Sequence, residues 1–136
     1  MDSAQIMESY GTRLAQQTDD FQSNLPAAKR DLNLTPQEEF LYRAHLHNLE
    51  ISRGGVPNPQ GGKSTLYQMS FERDGKFYNI PTVWEGKFVK PDEAIGRAEA
   101  VGLDKFPSYQ SEEEAETRYD RMHDYMQRDL QQYNDR

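Results

Sequence analysis

The dipeptide Asp74-Gly75 sits between Thr65-Leu-Tyr-Gln-Met-Ser-Phe-Glu-Arg73 and Lys76-Phe-Tyr-Asn-Ile-Pro-Thr-Val-Trp84. An Asp-Gly pair flanked by β-branched and aromatic residues is the strongest short-range signal for a two-residue hairpin turn. Such a turn places Arg73 opposite Lys76. Counting back pairs Phe71 with Tyr78, Met69 with Ile80, Tyr67 with Thr82, and Thr65 with Trp84. All four pairs share one face, an aromatic and aliphatic ladder. The other face carries Ser70 with Asn79 and Gln68 with Pro81, mostly polar. One buried and one wet face is the expected antiparallel pattern. In this register the missing N–H of Pro81 points to an outer edge, where proline is tolerated. After a turn at Glu85-Gly86, Lys87–Val89 can add a short third strand beside the end of the second.

Helix signals flank the hairpin. Thr35-Pro36-Gln37-Glu38 sets a capping hydroxyl, Pro at the first helical position and Glu three residues after the cap, so a helix is expected over 35–52. Residues 53–63, with four Gly and two Pro, read as a loop without regular structure. Pro91-Asp92-Glu93 opens another helix, with Ala94, Ile95, Ala98 and Val101 as its buried face and Gly102 as its stop. Ser111-Glu112-Glu113-Glu114 is a second capping box. The helix behind it carries the stripe Ala115, Tyr119, Met122, Met126, Leu130 and Tyr133 and should end near 132. The natural partner for that stripe is the ladder face of the hairpin.

The expected fold is α+β: N-terminal helices, then an antiparallel β-hairpin or three-strand meander packed against two C-terminal helices. Residues 1–34 read as a helical arm and linker, and 35–136 as the α+β domain. Within the arm, Ile6, Met7, Tyr10, Leu14 and Phe21 form a stripe too thin to hold a free helix, so it must dock on something.

Composition narrows the classes. Hydrophobic residues make up 35% of the chain and mean hydropathy is -1.03, which implies a small core with much solvated or partner-facing surface. Net charge is -7, with the excess concentrated after residue 102, where nine acids face five bases. A negative surface repels phosphate backbones and disfavours direct nucleic-acid binding. With no cysteine, disulfides, thiolate chemistry and cysteine-ligated zinc are excluded. No run of 18 apolar residues exists, so no membrane span is expected. The N-terminus lacks the pattern of a secretory signal, and synthesis in a cytoplasm is expected.

No catalytic motif emerges. Gly61-Gly62-Lys63-Ser64 resembles the end of a phosphate-binding loop, but Pro57 stands where its first Gly is needed, and a strand rather than a helix follows. His45 and His47 lie about 200° apart on a helix and cannot converge on one metal; His123 is far downstream. The crowd Glu112, Glu113, Glu114 and Glu116 suits the dipole of a helix N-terminus. No acid is expected in the core, as a glycosidase would need, and no Gly-x-Ser-x-Gly elbow is present. The chain is therefore expected to be no enzyme and to hold no cofactor or metal. Phe106 and Tyr109, flanking Pro107 in a loop, are candidate partner contacts, with Tyr10, Leu14 and Phe21 of the arm.

The combination Asp74-Gly75-Lys76, Asn79-Ile80-Pro81-Thr82-Val83-Trp84, Pro91-Asp92-Glu93-Ala94-Ile95 and Lys105-Phe106-Pro107-Ser108-Tyr109, with Arg118-Tyr119 and Met122-His123, resembles a small accessory module of tailed-bacteriophage virion proteins. The likeness covers residues 64–127 and is weaker over 34–56. In relatives the module is often attached to long internal or tail-associated proteins, some of which also carry murein-degrading domains. The module itself resembles no hydrolase. The resemblance implies a virion structural component (tail, portal-vertex or capsid-associated) that binds other virion proteins, and itself among them, in multiple copies. Two other roles stay open: a phage protein delivered to or made in the host that inhibits a host factor, and an accessory to a cell-wall hydrolase.

Overall fold

The computed structural model describes residues 24–135. The arm stripe, with Tyr10, Leu14 and Phe21, lies outside them. The elements in order are α1 (Asn24–Leu32), α2 (Pro36–Ser52), β1 (Val56–Pro57), β2 (Lys63–Ser64), β3 (Met69–Arg73), β4 (Lys76–Ile80), β5 (Val83–Trp84) and β6 (Lys87–Phe88). They are followed by α3 (Pro91–Val101), a 3-10 turn (Leu103–Lys105), β7 (Ser108–Tyr109) and α4 (Glu112–Asn134). The fold is α+β, with N-terminal helices followed by a sheet region packed against C-terminal helices.

The hairpin register is Met69↔Ile80, Ser70↔Asn79, Phe71↔Tyr78 and Arg73↔Lys76, as the Asp-Gly turn predicts. Asp74 (φ 54°) and Gly75 (φ 80°) both adopt the left-handed conformation that a type I′ turn requires. Beyond Met69 the ladder stops. Tyr67 turns to φ 41°, and the N–H groups of Thr82 and Val83 both go to Leu66 O. The expected pairs Tyr67–Thr82 and Thr65–Trp84 therefore do not form. The Thr82 hydroxyl donates to Tyr67 O and holds the departing chain. Val83–Trp84 instead pairs with Lys87–Phe88 around Glu85-Gly86. The third strand of the main sheet is Ser108–Tyr109, giving the order β3-β4-β7.

Neither face of the hairpin is simply wet. Arg73, on the ladder side, bonds Glu99 of α3 at 3.2 Å. Asn79, on the opposite side, donates to Ala115 O of α4 and accepts from Ser70. So α3 covers the ladder face, and α4 takes the polar face that the alternation assigned to solvent. Asn79 is buried because its amide satisfies a carbonyl there, and a buried polar group is tolerated when it is bonded.

The core centres on α2, in which Leu41, Tyr42 and every residue from Ala44 to Leu49 are buried. A helix buried all round must be enclosed by other elements, and α1, α4 and the sheet region do so. The segment read as linker is the helix α1, and Leu25, Ala28 and Leu34 belong to the same core. The loop 53–63 contains a two-residue ribbon, β1–β2. Its entry needs glycine: Gly54 and Gly55 take φ of 108° and 98°, which L side chains rarely adopt, and a Cβ on Gly55 would crowd Leu130 Cδ1 at 3.1 Å.

Candidate functional site

The chemistry-bearing side chains gather in two buried polar clusters, both anchored on α2. The first joins Thr65, His45, Asp129 and Tyr42. His45 Nδ1 lies 2.6 Å from Thr65 Oγ1, and His45 Nε2 lies 2.9 Å from Asp129 Oδ2. The Tyr42 hydroxyl donates to the same carboxylate oxygen at 2.5 Å. Asn48, one turn along α2 (45 to 48), donates to Thr65 O and Val83 O. Burial drives the His45 pKa below its ordinary value and thus favours the neutral ring, against the opposing pull of Asp129. A neutral ring that donates from Nε2 to Asp129 leaves Nδ1 to accept the Thr65 hydroxyl proton. Burial, then Asp129, raises the pKa of Tyr42, so the phenol stays a donor.

Hydroxyl, imidazole and carboxylate in a row are the groups of a nucleophilic relay. Here they are enclosed: His45 is 0% exposed, Asp129 3% and Thr65 6%. In this arrangement the row ties α2 to α4 and to the chain entering the hairpin.

The second cluster joins Glu38, Arg118 and Tyr109. Arg118 grips Glu38 with two nitrogens, at 2.7 and 2.8 Å. Tyr109 Oη donates to the same carboxylate at 2.7 Å, and the Thr35 N–H completes the capping box. Arg118 also donates to Leu32 O at the end of α1. Burial pushes the Glu38 carboxyl up, but Arg118, Thr35 N–H and Tyr109 outweigh it and hold it below its ordinary value. The hydrogen bond to Glu38 raises the Arg118 pKa. Glu38 and Arg118 thus fasten α1, α2, β7 and α4 together.

Glu38 and Asp129 are both buried, against the expectation of a core without acids. Phe106 and Tyr109 are also inside. Phe106 is 1% exposed and packs edge-on against Phe40 and Trp84, and Tyr109 is a β7 residue whose hydroxyl is committed to Glu38. Neither is available as a surface anchor in the folded chain; the proline between them marks a strand entry. The sequence carried one signal for what was missed. On α4, Arg118 and Asp129 fall three or four residues from Ala115, Met122 and Met126, so they are polar residues on the apolar stripe. The Ser111 cap forms, but Glu114 accepts weakly from Gln110 N–H instead of closing the box.

Beside the first cluster runs an open groove of about 610 Å³, floored by Thr65–Gln68 and walled by Lys63 and by Tyr119, Asp120 and His123 of α4. Gly62, Lys63 and Ser64 form one rim, and the amides of Gly61 and Gly62 are occupied. Asn58 Oδ1 accepts from Gln60 N–H and Gly62 N–H, taking the position an anion would need. Among the described residues no group of three or more His, Asp or Glu is arranged to hold a metal ion. Among them too, no helix is long and apolar enough to cross a membrane. No family model, curated protein or solved structure matches the chain.

Proposed function

We propose that this chain is a non-enzymatic structural component of a bacteriophage virion, made in the host cytoplasm, that binds other virion proteins in multiple copies. The observation that carries the reading is the use to which its reactive groups are put. The buried acids and His45, with Thr65 and Tyr109, are bonded between elements inside the core. A scaffold locked in this way suits a part that presents surfaces. The resemblance of residues 64–127 to a virion accessory module supplies the setting. The arm residues Tyr10, Leu14 and Phe21 are the proposed partner anchors, since aromatic and large apolar side chains dominate interface energetics.

The acidic surface, at net charge -7, favours a second reading, a host-factor inhibitor. Cross-linking of a tagged copy during infection separates the two. Virion proteins captured as the main products support the first reading. A single host protein captured before particles assemble would replace it with the second.

A further inference from the structure

Among the described residues the outer edge of β3 is open, and its pattern fits a second copy of itself. In the register of the hairpin, Arg73, Phe71 and Met69 exchange hydrogen bonds with β4, because pairs flanking a two-residue turn alternate from a bonded pair. Asn79 confirms the parity: its N–H goes to Pro107 O on the far side of β4, not to Ser70. The N–H and C=O groups of Ser70 and Glu72 therefore point away from the sheet. Among the described residues no backbone partner is found for Ser70 or Glu72 beyond β4. This edge has no proline and no lysine, two common devices that keep a strand from pairing.

We propose that two copies join antiparallel along β3, with the two-fold axis at Phe71, to make one six-stranded sheet. In that register Ser70 of each copy faces Glu72 of the other, and these are the residues whose backbone groups point outward, so both bonded pairs close. Phe71 meets its own counterpart in a non-bonded pair, where side chains approach most closely. It already stacks on Tyr78 at 5.7 Å, so the ladder extends to four rings. The same register carries the Asp74-Gly75 turn of each copy past Met69, opposite Gln68 and Tyr67. Those residues floor the open groove, which gives the turn space, and Lys63 in its wall offers a cation to Asp74. The proposal goes beyond the virion reading and does not depend on it.

The test is sedimentation velocity of the full chain over a concentration series at physiological salt, which screens repulsion between two acidic copies. Association to twice 15.8 kDa is expected. Glu72→Pro removes an outward N–H and leaves the β3–β4 bonds alone, so it should give a folded monomer whose melting temperature matches that of the wild type at concentrations too low for association. The chain has no cysteine of its own, so single cysteine substitutions report the register. Phe71→Cys should oxidise to a covalent dimer, the Cα atoms being about 4.5 Å apart. Glu72→Cys, a diagonal neighbour at about 7–8 Å, should lag by at least tenfold. A wild type that stays monomeric overturns the proposal. So does a dimer that a folded Glu72→Pro variant retains, or a Glu72→Cys variant that cross-links as fast as Phe71→Cys.

Discussion

Glu38 and Asp129 are acids placed where water does not reach, and each is held there by donors from other elements. Removing the donors should cost more than removing an exposed ion pair, because the carboxylate remains buried without its partner. Arg118→Ala is expected to destabilise by about 3–5 kcal/mol in chemical denaturation. Half-exposed Arg97→Ala, which loses an i,i+4 pair with the exposed Glu93, should cost no more than about 0.5 kcal/mol. Equal costs would mean that Glu38 relaxes to solvent. The pH dependence follows from the same groups. The folded-state pKa of His45 lies below its ordinary 6.5. As pH falls through 6.5 the unfolded chain therefore takes a proton that the folded chain refuses, and stability drops. The groups around the ring are Asp129, Tyr42 and, at longer range, His123. The folded-state pKa of Glu38 lies below 4.5, so its contribution is complete above 4.5 and is lost as pH falls through the lower folded value. The melting temperature should therefore decline in two stages on acidification, and His45→Gln should abolish the first. A melting temperature constant from about pH 7 to about pH 5 would show that His45 titrates alike in both states.

At the scale of elements, what could be read from the chain was local. Asp74-Gly75 determines the turn and the first pairs of the ladder, Thr35 to Glu38 the start of α2, and Pro91 and Gly102 the limits of α3. Each of these rests on residues within a few positions of one another. What escaped was long-range. Pro107-Ser108-Tyr109 carries no strand periodicity, and Ser108–Tyr109 becomes a strand only because Pro107 O meets Asn79 N–H across the fold. The choice of face was missed because Asn79 looks solvated by alternation, yet its amide matches the Ala115 carbonyl. His45, Asn48 and Asp129 were obscure for a like reason: polarity alone does not reveal a partner 17 to 84 residues away. Asn79→Ala should therefore cost about 1–3 kcal/mol, since it removes two hydrogen bonds at once, the one from the Ser70 hydroxyl and the one to the Ala115 carbonyl of α4. If urea unfolding shows no change, water has replaced the amide and α4 is less closely seated than its contacts imply.

The whole molecule is built around α2, and α1 is one of its walls. Truncation should reveal where the folding unit begins. Removal of residues 1–34 takes Leu25, Ala28 and Leu34 from the core and the Leu32 carbonyl from Arg118. Large-to-small changes at single core leucines already cost about 2–5 kcal/mol each, so this truncation should leave the remainder unfolded or molten. Removal of residues 1–23 should leave the melting temperature within a few degrees of the full chain while reducing incorporation into particles. That difference separates a folding unit starting at α1 from one starting at α2. The central claim, that the chain is a binding part of a virion, is tested most directly by quantitative mass spectrometry of density-purified particles. A constant ratio of several copies per particle, retained through successive purification steps, is the predicted result. Absence of the chain from particles that contain the other structural proteins would contradict it.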